Sequence, residues 1–184
     1  MTKVFIGGSR RVSRLNAHFR ERLDNIMKKG FPVVIGEANG TDKAVQRYLH
    51  DKHYRDVQVF CSSGICRNNV GNWPTRNIPV DAPARTAQFY SAKDSAMAQE
   101  ATIGLMMWDG TSVGTLLNVF RLVSFKKKAV IYTVPERCFL EFRRHIDWDN
   151  FIESRDVGLR RKVEQRARLE TKPKNKSFQA SFLP

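Results

Sequence analysis

The chain has no apolar run approaching the roughly 18 residues of a membrane helix. Its longest, Ile103 to Trp108 and Ala129 to Val134, have only strand length. The N-terminus runs from Met-Thr-Lys directly into Val-Phe-Ile-Gly-Gly, without the charged, apolar and small-residue order of a signal peptide. A cytoplasmic protein with no membrane partner is therefore expected. Cysteine is scarce: Cys61, Cys66 and Cys138 cannot all pair, unlike the even count usual in a stapled secreted domain. Cys61 and Cys66 have His50 and His53 upstream but lack the C-x-x-C spacing of common structural zinc sites. They read as ordinary buried or loop cysteines, and no metal and no cofactor is expected. Two nucleotide signatures are missing as well. Neither the G-x-G-x-x-G dinucleotide fingerprint nor a phosphate loop ending in G-K-[ST] occurs, which removes support from ordinary NAD and ATPase readings.

What is present is an ordinary globular composition, 41% hydrophobic and 27% charged, with a net charge of +14 over 184 residues. This length suits one domain plus a tail. Residues 155–184 carry nine Lys/Arg against three Asp/Glu. Such a field favours anionic partners: nucleotides, nucleic acid or acidic proteins. Strand-like and helix-like segments alternate. Lys3–Ile6, Phe31–Ile35, Val57–Phe60, Ala101–Trp108 and Ala129–Thr133 read as strands. Arg14–Lys29, Asp42–Lys52 (capped by Thr41), Arg85–Gln99 and Val113–Phe125 read as helices. This is the signature of an α/β, Rossmann-like parallel sheet of about five strands with helices on both faces. Residues 1–134 are expected to form that domain, 135–171 a basic helical extension and 172–184 a mobile basic tail. Phe139–Ile146 and Val157–Glu170 read as the helices of the extension. The stretch from Cys61 to Pro83 has no period and reads as a long functional loop, with Arg67, Asn68, Asn69, Trp73 and Arg76 as a lid or strand-binding surface.

In an open parallel sheet, ligands bind beyond the carboxyl ends of the strands, so the residues that follow each strand carry the functional signal. Three such loops are rich in glycine and hydroxyls: Gly7-Gly8-Ser9-Arg10, Gly36-Glu37-Ala38-Asn39-Gly40-Thr41-Asp42, and Asp109-Gly110-Thr111-Ser112-Val113-Gly114-Thr115. Glycine lets backbone N–H groups approach a phosphate, and a helix N-terminus adds positive potential. Arg10 offers a planar fork for a phosphate or carboxylate. Trp108, ending a strand at this rim, is a candidate for stacking on a base. Asp109 and Glu37 are the candidate acid–base pair. The histidines are scattered, and none is assigned to chemistry.

These loops, with Lys93-Asp94-x-x-Met97-Ala98 between them, resemble the SLOG superfamily, and within it the bacterial and phage YspA-related proteins. The resemblance covers roughly Thr2 to Thr133. It implies a Rossmann-like fold that binds nucleotides or nucleic acid, as DprA-like proteins, Lonely Guy phosphoribohydrolases and nucleotide sensors do. It also implies ligand contacts from Lys93, Asp94 and Asn118. Asn118 stands where the related glycosidic-bond enzymes keep a glutamate, and Lys93 where the Lonely Guy enzymes keep an arginine. Asparagine cannot ionise, so neither a carboxylate nucleophile nor a full stabilising charge is available at that position. The expectation is therefore a binding or sensing site for a nucleotide or nucleotide-derived small molecule. A nucleotide hydrolase of the phosphoribohydrolase kind and a single-strand nucleic-acid binder are the alternatives. A homodimer is compatible with the resemblance.

Overall fold

The structure, a computed structural model, describes residues 1–64, 66–80 and 86–171. The expected tail at 172–184 lies outside them, as does the expected helix start at Arg85. A seven-stranded sheet forms the centre: β1 (Val4–Gly8), β2 (Val33–Ile35), β3 (Val57–Ser62), β4 (Thr75–Ile78), β5 (Ile103–Trp108), β6 (Lys128–Thr133) and β7 (Cys138–Phe142). Their spatial order is β4-β3-β2-β1-β5-β6-β7, parallel throughout except for antiparallel β7. Helices α1 (Ala17–Lys28) and α2 (Thr41–Asp51) follow β1 and β2. Helices α3 (Ala87–Glu100) and α4 (Val113–Ser124) flank β5 in sequence, and α5 (His145–Glu153) and α6 (Val157–Thr171) close the described chain.

The strand period of two decides which helix meets which face. Val4 and Ile6 of β1, with Leu105 and Met107 of β5, join the buried cluster that holds Phe19 and Leu23 of α1 and Val45 and Leu49 of α2. Phe5, Met106 and Trp108 point the other way, into the cluster with Met97 of α3, Leu116, Val119 and Leu122 of α4, Phe151 of α5 and Val163 of α6. Both faces are covered, so the central strands are apolar throughout, as a parallel sheet requires.

The sheet has seven strands where about five were expected. The two additions are both edge strands with weak patterning. β4 is Thr-Arg-Asn-Ile, almost wholly exposed, and pairs only with β3; it lies inside the stretch expected to be a loop. β7 occupies Cys138–Phe142, where a helix over Phe139–Ile146 was expected. Phe139, Leu140 and Phe142 have apolar content but no clean alternation, and pairing with β6 decides the matter. The helix begins only at His145, with Asp147 Oδ2 accepting the N–H groups of Arg143 and Arg144. Thr41 is not the cap of α2. Gly40 holds that position, and the Thr41 hydroxyl donates to the Ser9 carbonyl at 3.0 Å. The Cys61 and Cys66 sulfurs are bonded to each other, with Cα atoms 5.1 Å apart, and Cys138 is free. Among the described residues no helix is long and apolar enough to cross a membrane, and no group of His, Cys, Asp or Glu could hold a metal ion.

The C-terminal elements belong to the same core as the sheet. Trp148 of α5 is buried against Phe120, Phe142 and Phe151. Replacing a buried Trp by Ala removes its transfer energy and leaves a cavity, so Trp148→Ala is expected to lower the unfolding free energy by about 3–5 kcal/mol. Urea denaturation checks this. A loss below about 1 kcal/mol would mean that α5 is not part of the cooperative core.

Candidate functional site

The strand order reverses between β1 and β5. β1 continues through α1 to β2 on one side, and β5 continues through α4 to β6 on the other. The connections leave in opposite directions and a cleft opens between them, the place where open α/β sheets bind ligands. A cavity of about 570 Å³ lies there. That is within the range of small-molecule sites, roughly 300–1,000 Å³.

The two strand-end loops are tied across the cleft. The backbone of Ser9 extends the pairing by donating to the Met107 carbonyl at 2.9 Å, and the Ser9 hydroxyl donates to Asp109 Oδ2 at 2.8 Å. Asp109 Oδ1 accepts the N–H groups of Thr111 at 3.0 Å and Ser112 at 2.7 Å. Burial works against ionisation of Asp109, but the donors Thr111, Ser9 and Ser112 outweigh it and hold its pKa below the ordinary value. This carboxylate shapes the turn into α4, and three of its acceptor positions are already taken. Ser112 then caps α4, its Oγ accepting the Thr115 N–H. Gly114, in the first turn, borders the cavity, and a Cβ there would meet nothing within 4 Å. The Ser9–Arg10 loop is also held from below. Gly40 has φ +83°, and a Cβ on it would lie 2.3 Å from the Arg10 carbonyl oxygen, so only glycine lets α2 dock under Arg10.

Glu37 is 2% exposed but does not line the cavity. Arg67 grips it with Nε on Oε2 at 2.7 Å and a second nitrogen on Oε1 at 3.1 Å, and Lys93 Nζ lies 3.5 Å from the same Oε1. Burial disfavours its charge, but Arg67 and Lys93 prevail, and its pKa is lowered. Glu37 is thus an ionised anchor behind the wall rather than the expected acid–base group. Its guanidinium partner comes from the stretch expected to be a lid, which is pinned down instead. Asn68 donates to the Glu37 carbonyl, Asn69 closes a turn on Trp73, Trp73 is buried with Nε1 on the Tyr54 carbonyl, and Arg76 pairs with Glu100.

Asp42 is different. It is 8% exposed, lines the cavity and accepts a single N–H, from Ala38 at 3.2 Å. Asp42 Oδ2 and Lys93 Nζ flank Gly36, at 2.5 and 3.2 Å from where a Cβ would sit, so this glycine is what lets the two side chains converge. Burial pushes the Asp42 pKa up to about 7; Lys93 opposes the rise and Asp94 adds to it. Asp94 borders the cavity and faces Arg121 at 3.9 Å, and Arg121 also donates to Asn118 and Ser91. Asn118 is therefore held by a guanidinium on the next turn of its own helix.

Gly7, Gly8, Thr111 and Thr115 complete the expected residues that line the cavity. Gly36, Gly40 and Gly110 shape the turns behind it. Trp108 is not at the rim. Its indole N–H donates to the Ser112 carbonyl and its ring packs on Phe151, so it does not present a stacking face to a ligand. The sequence reading missed Arg11, Tyr90, Arg121, and Lys162 and Arg166 of α6, all cavity-lining. Arg121 was signalled by its i,i+3 spacing from Asn118. Tyr90 carries the Arg10 guanidinium 4.4 Å from its ring centroid, a pairing that no local spacing reveals.

The Asp42 carboxyl makes a directional prediction. Its pKa is raised from 3.8 to about 7 on folding. Between those values the folded state holds a proton that the unfolded state has released, so this group's contribution to stability falls as pH rises from 4 to 7 and levels off above. A shift of that size corresponds to a penalty of at most about 4 kcal/mol at pH 8. Asp42→Asn keeps an acceptor for Ala38 without the charge. It is expected to be more stable than wild type at pH 8 and to show a flatter stability profile between pH 4 and 7 in urea denaturation. Equal profiles for the two proteins would contradict this.

Comparison with protein-family models, curated proteins and solved structures returned no match.

Proposed function

We propose that the cavity between β1 and β5 binds a nucleotide or nucleotide-derived ligand. The carrying observation is the wall at the reversal of strand order. There the N-terminus of α4, its Gly114 opening onto free space, lines the cavity together with Arg10 and Arg11, and neither arginine forms a salt bridge among the described residues. Free N–H groups at a helix start, a partial positive charge and a planar guanidinium are the elements that hold a phosphate. The resemblance to SLOG proteins agrees with this reading. Binding is favoured over cleavage because both expected carboxylates are engaged by donors, Asp109 by three and Glu37 by four, and Asn118 stands where the resemblance expects an acid.

One observation favours a second reading, hydrolysis of the bound nucleotide. Asp42, near half-protonation at neutral pH, has the profile of a general acid, and it borders the same cavity. Turnover of a nucleotide panel by wild type, lost in Asp42→Asn with ligand affinity retained, would support it. No turnover by wild type would sink it.

The test of binding uses Gly114. An aspartate there enters open space and suits a helix N-terminus, so the fold is kept while a negative charge occupies the anion position. Native mass spectrometry of freshly purified protein is expected to show a co-purified nucleotide, and thermal-shift screening with AMP, ADP-ribose and cyclic nucleotides a stabilising ligand. Gly114→Asp is expected to melt within about 3 °C of wild type and to lose that ligand at least tenfold in affinity. Unchanged affinity in Gly114→Asp would refute the assigned position, and no ligand from either screen would count against the function.

A further inference from the structure

We propose that α6 supplies a second anion subsite to the cavity, so that the preferred ligand is a nucleotide bearing more than one phosphate group; this rests on the reading of the cavity as a nucleotide site. Helix α6 is fixed by an apolar stripe. Val163 is 2% exposed in the core beside α4, and Leu159 and Ala167 pack against the same cluster. The helical period then sets the neighbouring stripe, Lys162 and Arg166, one turn apart on one face. Both line the cavity that also contains Ser9, Arg10 and Gly114. Other basic residues of the helix, Arg160, Arg161 and Arg168, do not.

The charge balance carries the inference. Six cationic side chains line the cavity against three carboxylates. Asp94 faces Arg121, Asp109 is bound by Ser9 and two backbone N–H groups, and Asp42 is near half-protonation at neutral pH beside Lys93. No cavity-lining carboxylate is left for α6. Lys162 and Arg166 have no ion pair among the described residues, and Glu164, which lies between them in sequence, faces Arg160 at 3.9 Å. Two like charges one turn apart repel each other, and Arg121 adds to the field. Lys162 is exposed and Arg166 half-buried, so both reach the cavity from its open side, where a ligand can meet them. A single phosphate is already provided for at α4 and Arg10. The α6 cations therefore point to a further phosphate on the same ligand, attached either in a diphosphate chain or at a second ribose hydroxyl.

Isothermal titration of the full chain with AMP, ADP and adenosine 3′,5′-bisphosphate, and with the guanosine counterparts, separates these cases. Wild type is expected to bind one of the doubly phosphorylated forms at least about tenfold more tightly than the monophosphate of the same base. Which form shows the preference tells diphosphate from bisphosphate. Lys162→Ala/Arg166→Ala, a change to a better helix former at both positions, is expected to erase the preference while monophosphate affinity stays within about twofold. Arg161→Ala, off the cavity, is expected to change neither. A variant that keeps the preference, or loses both ligand classes equally, overturns the subsite. So does a wild type that binds monophosphates without preference, and this leaves the nucleotide reading standing. If wild type binds none of the probes, the nucleotide reading fails first and the subsite with it.

Discussion

The parallel pairing of β1 with β5 is the constraint on which the rest depends. Gly8 sits opposite Met107, and a Cβ on Gly8 would lie 2.3 Å from the Met107 carbonyl oxygen, so the two strand ends can close only around a glycine. That closeness lets Ser9 reach Asp109, and Asp109 in turn organises the turn that starts α4. Because the chain leaves β1 and β5 in opposite directions, the same pairing opens the cleft above it. The sheet register and the cavity geometry are one feature seen from two sides.

The sequence made the central strands legible because parallel strands covered on both faces need continuous apolar runs, and Val4–Ile6, Val33–Ile35 and Leu105–Trp108 supply them. It hid the edges. Thr75–Ile78 buries almost nothing, so no hydrophobic pattern marks it, and Cys138–Phe142 is told from a helix only by its partner strand. The candidate site follows the same division. Residues that follow strands in sequence were readable, since their position and glycine content are local facts. Residues delivered by distant packing were not. Tyr90, Lys162 and Arg166 reach the cavity through the docking of α3 and α6, and nothing local to those helices announces it. Trp108, expected to stack on a base, and Glu37, expected to do acid–base work, are both turned away from the cavity for a related reason. A side chain at a strand end can turn inward, and only the partners Phe151, Arg67 and Lys93 reveal that these two did.

The buried charges divide the work between structure and chemistry. The Glu37–Arg67–Lys93 cluster satisfies its own charges and fastens the segment after Cys66 to the back of the sheet. Losing Glu37 would leave Lys93 buried beside fewer opposite charges, which is why such clusters hold geometry more than they add stability. It also spends the positive charge of Lys93 on two carboxylates at once. Asp42 is left with a share of a lysine, one amide donor and a second carboxylate nearby.

That leftover carboxyl couples the cavity to the acidity of its surroundings. An anion seated beside Asp42 disfavours its ionised form, so the anion and the proton on Asp42 each strengthen the binding of the other, by the same free energy in both directions. If the cavity holds an anion as proposed, its capture near neutral pH takes up protons from the medium, and its apparent affinity falls as the medium turns alkaline. On the proposed reading, the cavity takes up a hydrogen ion together with its anion.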